Sequence, residues 1–191
     1  MQPIYLAGHS RPVRQVKYNM DGDLLFTCSD DSTVCMYRSS DCARIGVFHI
    51  REACKGFDIS ADSKYVITAS TNFGVQVFNT MNGAKLVEMK LPSDMPKQVK
   101  STFFSLGDKM YLVAYELDKM SYVDVYDFQK TMSGKDTKEA LITTITLPKD
   151  QSVTCAKWGP LNKTIYIATL SGRFMIVSVE NGQVVIQKDV H

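Results

Sequence analysis

The sequence predicts an all-β fold, a β-propeller in which four blades of four antiparallel strands each are present. The first observation is a repeat, because the apolar and turn pattern that begins at Val13 returns at Cys54, Val99 and Val153. The second is that each repeat holds four short segments rich in β-branched and aromatic residues, separated by Asp-Gly, Asn-Gly or Leu-Gly-Asp turns. Repeats of about 40 to 45 residues with four strands each are typical of propeller blades.

Each blade is predicted to be a meander of antiparallel hairpins. The predicted blades cover residues 9–48, 49–90, 91–147 and 148–191. The predicted strands lie, in chain order, near 13–18, 23–28, 33–38 and 43–48, then 53–59, 64–69, 74–79 and 84–89, then 98–104, 109–115, 121–127 and 140–146, and finally 152–158, 163–168, 173–178 and 183–188. No segment has the pattern of a helix.

Blade three is the longest, and its extra residues fall in two places. A few lie in the hairpin Glu116–Ser121, and the rest form the polar segment Gln129–Glu139. Insertions in repeat proteins map to loops, so both are predicted to be loops. The Ser, Gly and Lys content of the second favours a solvated loop over a functional one.

The two ends of the chain bear on the size of the ring. Residues 1–8 are predicted to hold a latch strand, which in a closed propeller supplies the outer strand of the last blade. Blade four already has an outer strand near 183–188, so the latch has no vacancy within this sequence. We therefore expect the N-terminal part of a longer propeller, with about three further blades if the ring has seven. The alternative is a closed four-bladed ring with an unpaired first strand.

The composition excludes several classes of protein. A hydrophobic fraction of 45% with 22% charged residues is that of an ordinary globular chain. The 22 basic and 20 acidic residues give a net charge of +2, too small to indicate a nucleic-acid partner. No apolar run reaches the roughly 18 residues of a membrane helix, and the first residues lack the features of a signal peptide. A cytoplasmic protein without a membrane partner is expected.

The cysteines are predicted to be reduced and structural. There are five, an odd number, and all lie inside or beside predicted strands, which argues against a disulfide framework. Cys28, Cys35 and Cys42 recur at a constant spacing, and together with His9 they raise the possibility of a metal site. Zinc ligands favour pairs on a tight turn, whereas these three fall on successive predicted strands. Buried small side chains are the better interpretation, and no metal is expected.

The polar residues of blade one match a known arrangement. His9, preceded by glycine, is followed by Thr27, Ser29, Asp31 and Tyr37 at the positions of the hydrogen-bonded tetrad of WD40 repeats. In that tetrad His, Asp, Ser or Thr, and Trp satisfy one another's buried polar groups. Tyr37 stands where Trp is usual, so an altered network is expected. These five residues are predicted to be structural, because no positioned nucleophile accompanies His9 and Asp31.

Nothing in the sequence indicates an enzyme or a cofactor. It contains no glycine-rich phosphate loop, no signature pair of carboxylates and no nucleophile elbow. A locally basic stretch is offset by nearby acidic residues and contains Lys85, Lys90, Lys97, Lys100 and Lys109. A solvated face is the default interpretation, and contact with RNA phosphates is the alternative if several of these lysines line one rim.

Two parts of the chain support a closer resemblance. The segments Met1–His9, Val16–Asn19 and Gly22–Thr27 resemble the opening of subunit i of eukaryotic translation initiation factor three, a WD40-repeat family. In blade four, Thr154–Leu161 resembles the Trp-Gly-Pro-Leu segment of the same family. Blades two and three fit only in pattern. The chain is therefore identified as a divergent member of that family, covering its N-terminal part.

The resemblance implies a non-catalytic, seven-bladed scaffold. It implies a role in assembly of the 43S preinitiation complex and in mRNA recruitment and scanning, with subunits b and g as partners and the small ribosomal subunit contacted indirectly. No small-molecule substrate is implied, and the partner-contact residues are not assigned. Two alternatives remain, because fold alone does not determine function: a WD40 adaptor in signalling or ubiquitin transfer, and a direct RNA-binding propeller.

Overall fold

The computed structural model describes residues 6–70, 74–91, 98–134 and 137–189, and within these ranges the chain forms four sheets of four antiparallel strands. The strands are β1 (Val13–Tyr18), β2 (Leu24–Ser29), β3 (Thr33–Arg38) and β4 (Arg44–His49) in blade one, β5 (Gly56–Ile59), β6 (Tyr65–Ser70), β7 (Gly74–Asn79) and β8 (Lys85–Met89) in blade two, β9 (Gln98–Phe104), β10 (Met110–Leu117), β11 (Met120–Asp127) and β12 (Leu141–Thr146) in blade three, and β13 (Val153–Trp158), β14 (Thr164–Thr169), β15 (Arg173–Ser178) and β16 (Val184–Asp189) in blade four. The predicted all-β fold is confirmed.

The blades stack face to face through three apolar layers. The layer between blades one and two contains Phe26, Phe48, Phe57, Val66 and Phe78, with Phe48 edge-on to Phe78 at 5.8 Å between centroids. Alternate residues of a strand point to opposite faces of its sheet. The middle strands of a blade can therefore contribute to two layers at once, which explains their nearly continuous apolar runs.

Blade three shows this double use most clearly. Tyr111 and Val113 of β10 belong to the layer shared with blade two, whereas Leu112 and Ala114 belong to the layer shared with blade four. All four are fully buried. Blade three, like blade two, therefore has packed neighbours on both faces of its second strand.

The blades form an arc around a common axis, with the first strand of each blade innermost. β5 packs beside β1, β9 beside β5, and β13 beside β9. The faces at the two ends of the arc are more open, since Val16 and Tyr18 of β1 are more than half exposed and every residue of β16 is exposed. The predicted latch strand within residues 1–8 falls largely outside the described residues, and residues 6–8 form no strand.

The prediction that the chain has no helix was wrong. Two short helices, α1 (Phe128–Met132) and α2 (Thr137–Ala140), lie in the segment 129–139 that was predicted to be a solvated loop, and a 3-10 helical turn covers Pro160–Asn162. The carboxylate of Asp127 caps α1 by accepting a hydrogen bond from the backbone N–H of Lys130 at 2.9 Å. Phe128 and Thr131 are buried, so this segment is part of the core of blade three.

The hairpin Glu116–Ser121 also differs from its prediction. Instead of a longer loop, strands β10 and β11 are each lengthened to eight residues and joined by a two-residue turn. Asp118 and Lys119 occupy that turn with φ values of 51° and 63°. Positive φ at both central residues is the geometry of a type I′ turn, which follows the twist of the strands it joins.

Candidate functional site

The predicted tetrad residues of blade one lie together on the half-buried face of that blade that points away from blade two. The imidazole of His9 makes two hydrogen bonds, from Nδ1 to Asp31 Oδ2 at 3.0 Å and from Nε2 to Thr27 Oγ1 at 2.7 Å. Ser29 is placed differently, because its hydroxyl donates to the carbonyl of Arg11 at 3.0 Å instead of contacting His9. The structure therefore joins three of the five predicted residues directly and places Ser29 beside them.

Tyr37 approaches the cluster from strand β3. Its hydroxyl interacts with Thr27 and with the thiol of Cys35, and burial raises the pKa of Tyr37, with the Cys35 contact adding to the rise. A Cβ atom at Gly8 would lie 1.8 Å from this hydroxyl, so only glycine leaves room for it. Tyr37 thus reaches the threonine that a tetrad Trp would reach, and a glycine provides the space.

Three further residues of the cluster were missed by sequence reasoning. The hydroxyl of Thr33 donates to Asp31 Oδ1 at 2.6 Å, the backbone N–H of Ser10 donates to Asp31 Oδ2 at 2.8 Å, and Cys35 lies beside Tyr37. Burial alone would raise the pKa of Asp31, but the hydrogen bonds from Thr33, Ser10 and His9 outweigh it and hold that pKa at about 2. The threonine two residues after an aspartate was the available signal, because Asx and Ser/Thr turns have this spacing.

The order Asp31, His9, Thr27 resembles a catalytic triad, but its surroundings indicate a structural role. The side chain of Thr27 is buried and its hydroxyl is occupied by the hydrogen bond with His9. A nucleophile must instead reach a reacting atom about 3 Å away. Within the described ranges, no group of three His, Cys, Asp or Glu side chains could hold a metal ion.

We expect Asp31→Ala to lower the free energy of unfolding by about 2 kcal/mol near pH 7, because His9, Thr33 and the Ser10 N–H each lose an acceptor. Since the pKa of Asp31 is lowered in the folded state, its contribution is present above about pH 4 and is lost as the pH falls to about 2. Urea unfolding at pH 7, 4 and 2 measures this. Asp21→Ala, on an exposed turn, is the control. A loss that persisted undiminished at pH 2 would contradict the role of the carboxylate.

The predicted burial of the cysteines is correct for some of them and wrong for others. All five are free thiols, and Cys28 and Cys35 are buried on β2 and β3 as predicted. Cys42, in contrast, lies in the turn between β3 and β4 with a φ of 61° and is partly exposed. Cys42 lies outside the strands because β3 ends at Arg38, four residues before it.

A second cluster of polar residues lines the axis of the arc. It is basic and contains Arg14, Lys17, Lys55, Lys100 and Lys157. Carboxylates neutralise most of these cations: Asp30 pairs with two of them, and Asp58 and Glu116 with one each. The ammonium of Lys157 lies over the ring of Phe103, 5.1 Å from its centroid. The cluster therefore ties the inner strands together.

The described lysines of the predicted basic stretch are spread over different parts of the fold. Lys85 lies on β8, the outermost strand of blade two, where it pairs with Glu88. Lys100 lies on β9 at the axis, and Lys109 precedes β10. Lys97 is outside the described residues. Lys85 and Lys100 therefore lie on different blades, one at the outer edge and one at the axis, and do not share one rim.

The model of the WD domain, G-beta repeat, matches residues 2–38. Over 188 residues the chain is 35% identical to eukaryotic translation initiation factor 3 subunit I of Dictyostelium discoideum, a match that covers 97% of this chain and 54% of that protein. It is 29% identical to subunit I of Homo sapiens over 195 residues, with 100% of this chain and 58% of the relative covered. The chain is a divergent relative of these subunit I proteins.

This relationship agrees with the fold. The β-propeller domain of Cps50 (Swd1) from Myceliophteria thermophila superposes with a TM-score of 0.76, covering 99% of this chain and 59% of that one, at 14% identity. At that identity the likeness shows the WD40 propeller fold alone. The chain spans just over half the length of the subunit I relatives it matches. Within the described residues, no helix is long and apolar enough to cross a membrane.

Proposed function

We propose that this chain acts as a non-catalytic scaffold subunit of eukaryotic translation initiation factor 3. In this role it supports assembly of the 43S preinitiation complex, and mRNA recruitment and scanning, through protein–protein contacts in the cytoplasm. Its partners are other subunits of the factor, among them subunits b and g, and the small ribosomal subunit is contacted indirectly. The observation that carries the proposal is similarity to subunit I over nearly the whole chain in both Dictyostelium and human proteins.

The structure supports a binding role in two ways. The cluster of His9, Thr27, Asp31 and Tyr37 fits a lock that holds the turns of blade one, leaving the blade edges as rigid surfaces. The outermost strand β16 is exposed along its whole length and carries Val184, Val185 and Ile186. Exposed apolar strands of this kind are sites of protein association.

Affinity purification of the tagged chain from eukaryotic cells, with quantitative mass spectrometry, tests the proposal. We expect subunits b and g to be enriched over a control purification from cells without the tagged chain, and the enrichment to survive nuclease treatment because it rests on protein contacts. Recovery of ligase or kinase components without initiation factor subunits would instead favour a signalling adaptor. Loss of the enrichment on nuclease treatment would favour a direct RNA-binding protein.

A further inference from the structure

A pocket of about 590 Å³ opens where the first turn of each blade meets the axis of the arc. Every blade contributes to it through the turn that follows its innermost strand. We call these turns the turn rim, and they comprise residues 18–23, 59–64, 104–109 and 158–163. The pocket walls include Tyr18, Ile59, Phe104, Trp158 and Tyr166. The lining is therefore largely apolar, which is the character of a ligand pocket.

The turn rim exposes apolar side chains at its tips. Met20 is 76% exposed, Leu106 69% and Leu161 72%, and Tyr18 beside them is 55% exposed. These residues come from blades one, three and four, and all four line the pocket. Tight turns usually carry Gly, Asn, Asp, Ser or Pro at such positions. A group of exposed apolar tips around a pocket indicates a binding site for another molecule.

Hydrogen bonds between neighbouring blades hold the turn rim in place. The side chain of Asn19 donates to Ser63 Oγ at 3.0 Å and ties blade one to blade two. The backbone N–H of Ala61 donates to Asp108 Oδ2 at 2.6 Å and ties blade two to blade three. A surface that is already ordered loses little entropy when it binds, so these contacts favour affinity.

Blade four is joined to the rim in a way that strains its own turn. The amide of Asn162 bonds both backbone groups of Leu106 at 2.8 Å each. To make these bonds, Leu161 and Asn162 adopt positive φ, 57° in both residues. A left-handed conformation is unfavourable for a residue other than glycine. An exposed leucine held in this conformation gives no packing in return, and such outliers occur at functional sites.

The charge of the pocket indicates what the ligand carries. Of the charged side chains that line it, Lys17 is paired with Asp58, whereas Asp108 makes no salt bridge in the described part of the chain. Burial raises the pKa of Asp108 and the nearby carboxylates of Asp62 and Asp58 add to the rise, which the Ala61 N–H and the charge of Lys17 only partly offset. A cation placed beside Asp108 would relieve this repulsion.

We propose that the turn rim binds a peptide segment of a protein partner that places an apolar side chain in the pocket and a lysine or arginine beside Asp108. This surface is not one that the proposed function assigns. Failure of the experiment below would leave membership of the initiation factor untouched. The size of the pocket suits one large apolar anchor, and one or two such anchors supply most of the energy of a peptide interface.

Selection of a random dodecamer peptide library on the purified chain tests this proposal. We expect enriched peptides to combine an aromatic or leucine residue with a basic residue. Synthetic copies should change the fluorescence of Trp158, the single tryptophan of the chain, which lines the pocket. Leu161→Asp should weaken the binding of these peptides at least tenfold. Asp108→Asn should weaken it about threefold, because asparagine lacks the negative charge but keeps an oxygen that accepts the hydrogen bond from the Ala61 N–H.

Leu170→Asp is the matched control. Leu170 is also an exposed leucine of blade four, 77% exposed, but it lies in the turn after β14, at the opposite end of that strand from Leu161. Peptide binding by this variant should equal that of the wild type. Enrichment of acidic peptides, failure to enrich any peptide, or equal binding by wild type and Leu161→Asp would each overturn the proposal.

A second variant separates binding from folding. Leu161→Gly should raise Tm by about 3 °C, because glycine adopts positive φ without strain and the leucine is exposed. The same variant should lose peptide binding about as much as Leu161→Asp does. A Tm that falls would show that Leu161 is required for the fold of blade four, and unchanged binding would show that its side chain is not the contact.

Discussion

Asp124→Ala should lower the free energy of unfolding by about 4 kcal/mol, one of the largest effects expected in this protein. Asp124 lies on β11, is 1% exposed, and its carboxylate accepts hydrogen bonds from three hydroxyls. The donors are Tyr115 and Tyr126, each at 2.9 Å, and Thr144 at 2.7 Å. Alanine would leave the hydroxyls of the buried Tyr115 and Tyr126 without this acceptor, and each such group costs about 1–3 kcal/mol, whereas the exposed Thr144 can bond to water instead.

The tyrosines remain donors over the whole accessible pH range. Burial raises the pKa of Tyr115 and of Tyr126, and the charge of Asp124 raises both further. The network should therefore keep its geometry at any pH at which the protein is folded and the carboxylate is ionised. The hydrogen bonds that Asp124→Ala removes lie within blade three, where they join β10, β11 and β12.

Two controls distinguish the network from a simple loss of side-chain volume. Asp124→Asn has the same shape and keeps one acceptor oxygen, which can serve both tyrosine hydroxyls, and we expect it to cost less than half as much as alanine. Asp150→Ala, on an exposed turn, should change stability by less than about 0.5 kcal/mol. Urea unfolding followed by circular dichroism measures all three variants. Equal losses for alanine and asparagine would show that the charge, and not the hydrogen bonding, carries the effect.

The four-bladed architecture could be predicted because it rests on a repeat. The spacing of Val13, Cys54, Val99 and Val153 reports the period of the blades, and the alternation within each repeat reports which residues enter a layer. Both signals are local in the sequence and are repeated four times. Errors at one strand end therefore did not alter the assignment of the fold.

The helix α1 could not be predicted in the same way, because it is too short to show a helical period. Its five residues are stabilised by tertiary contacts: Phe128 packs edge-on against Phe104 at 5.1 Å, and the hydroxyl of Thr131 bonds that of Tyr111 at 3.0 Å. Asp127 was the one local signal, since aspartate is a strong N-cap. The same residue ends strand β11, so the sequence there also fits the end of a strand.

The tetrad positions were visible in the sequence, but the way they connect was not. The spacing from His9 to Asp31 identifies the arrangement, whereas the acceptor of Ser29 is a backbone carbonyl that no residue type reveals. The turn rim shows the same limit more strongly. In the sequence, Leu161 is distinguished only as the last residue of a Trp-Gly-Pro-Leu segment. Its exposure and its positive φ are properties of the fold, which the sequence does not display.

Phe104→Ala should also destabilise the protein by about 4 kcal/mol, as is usual for removal of a buried aromatic ring. Phe104 ends β9, is 8% exposed, and packs in the layer between blades two and three. Its ring meets that of Phe128, so the substitution would leave a cavity beside α1. Chemical unfolding monitored by circular dichroism measures the loss.

Tyr18→Ala provides a control at the same position of the repeat. Tyr18 ends β1 and pairs with Leu25 as Phe104 ends β9 and pairs with Tyr111, but it is 55% exposed because no described blade packs against that face. We expect it to cost less than about 1 kcal/mol. Equal losses at the two positions would show that the first face of blade one is covered in solution. A large loss at Phe104 alone would show that stability comes from the contact between blades and not from the aromatic residue within its own sheet, because both residues end the first strand of their blade and pair with its second strand.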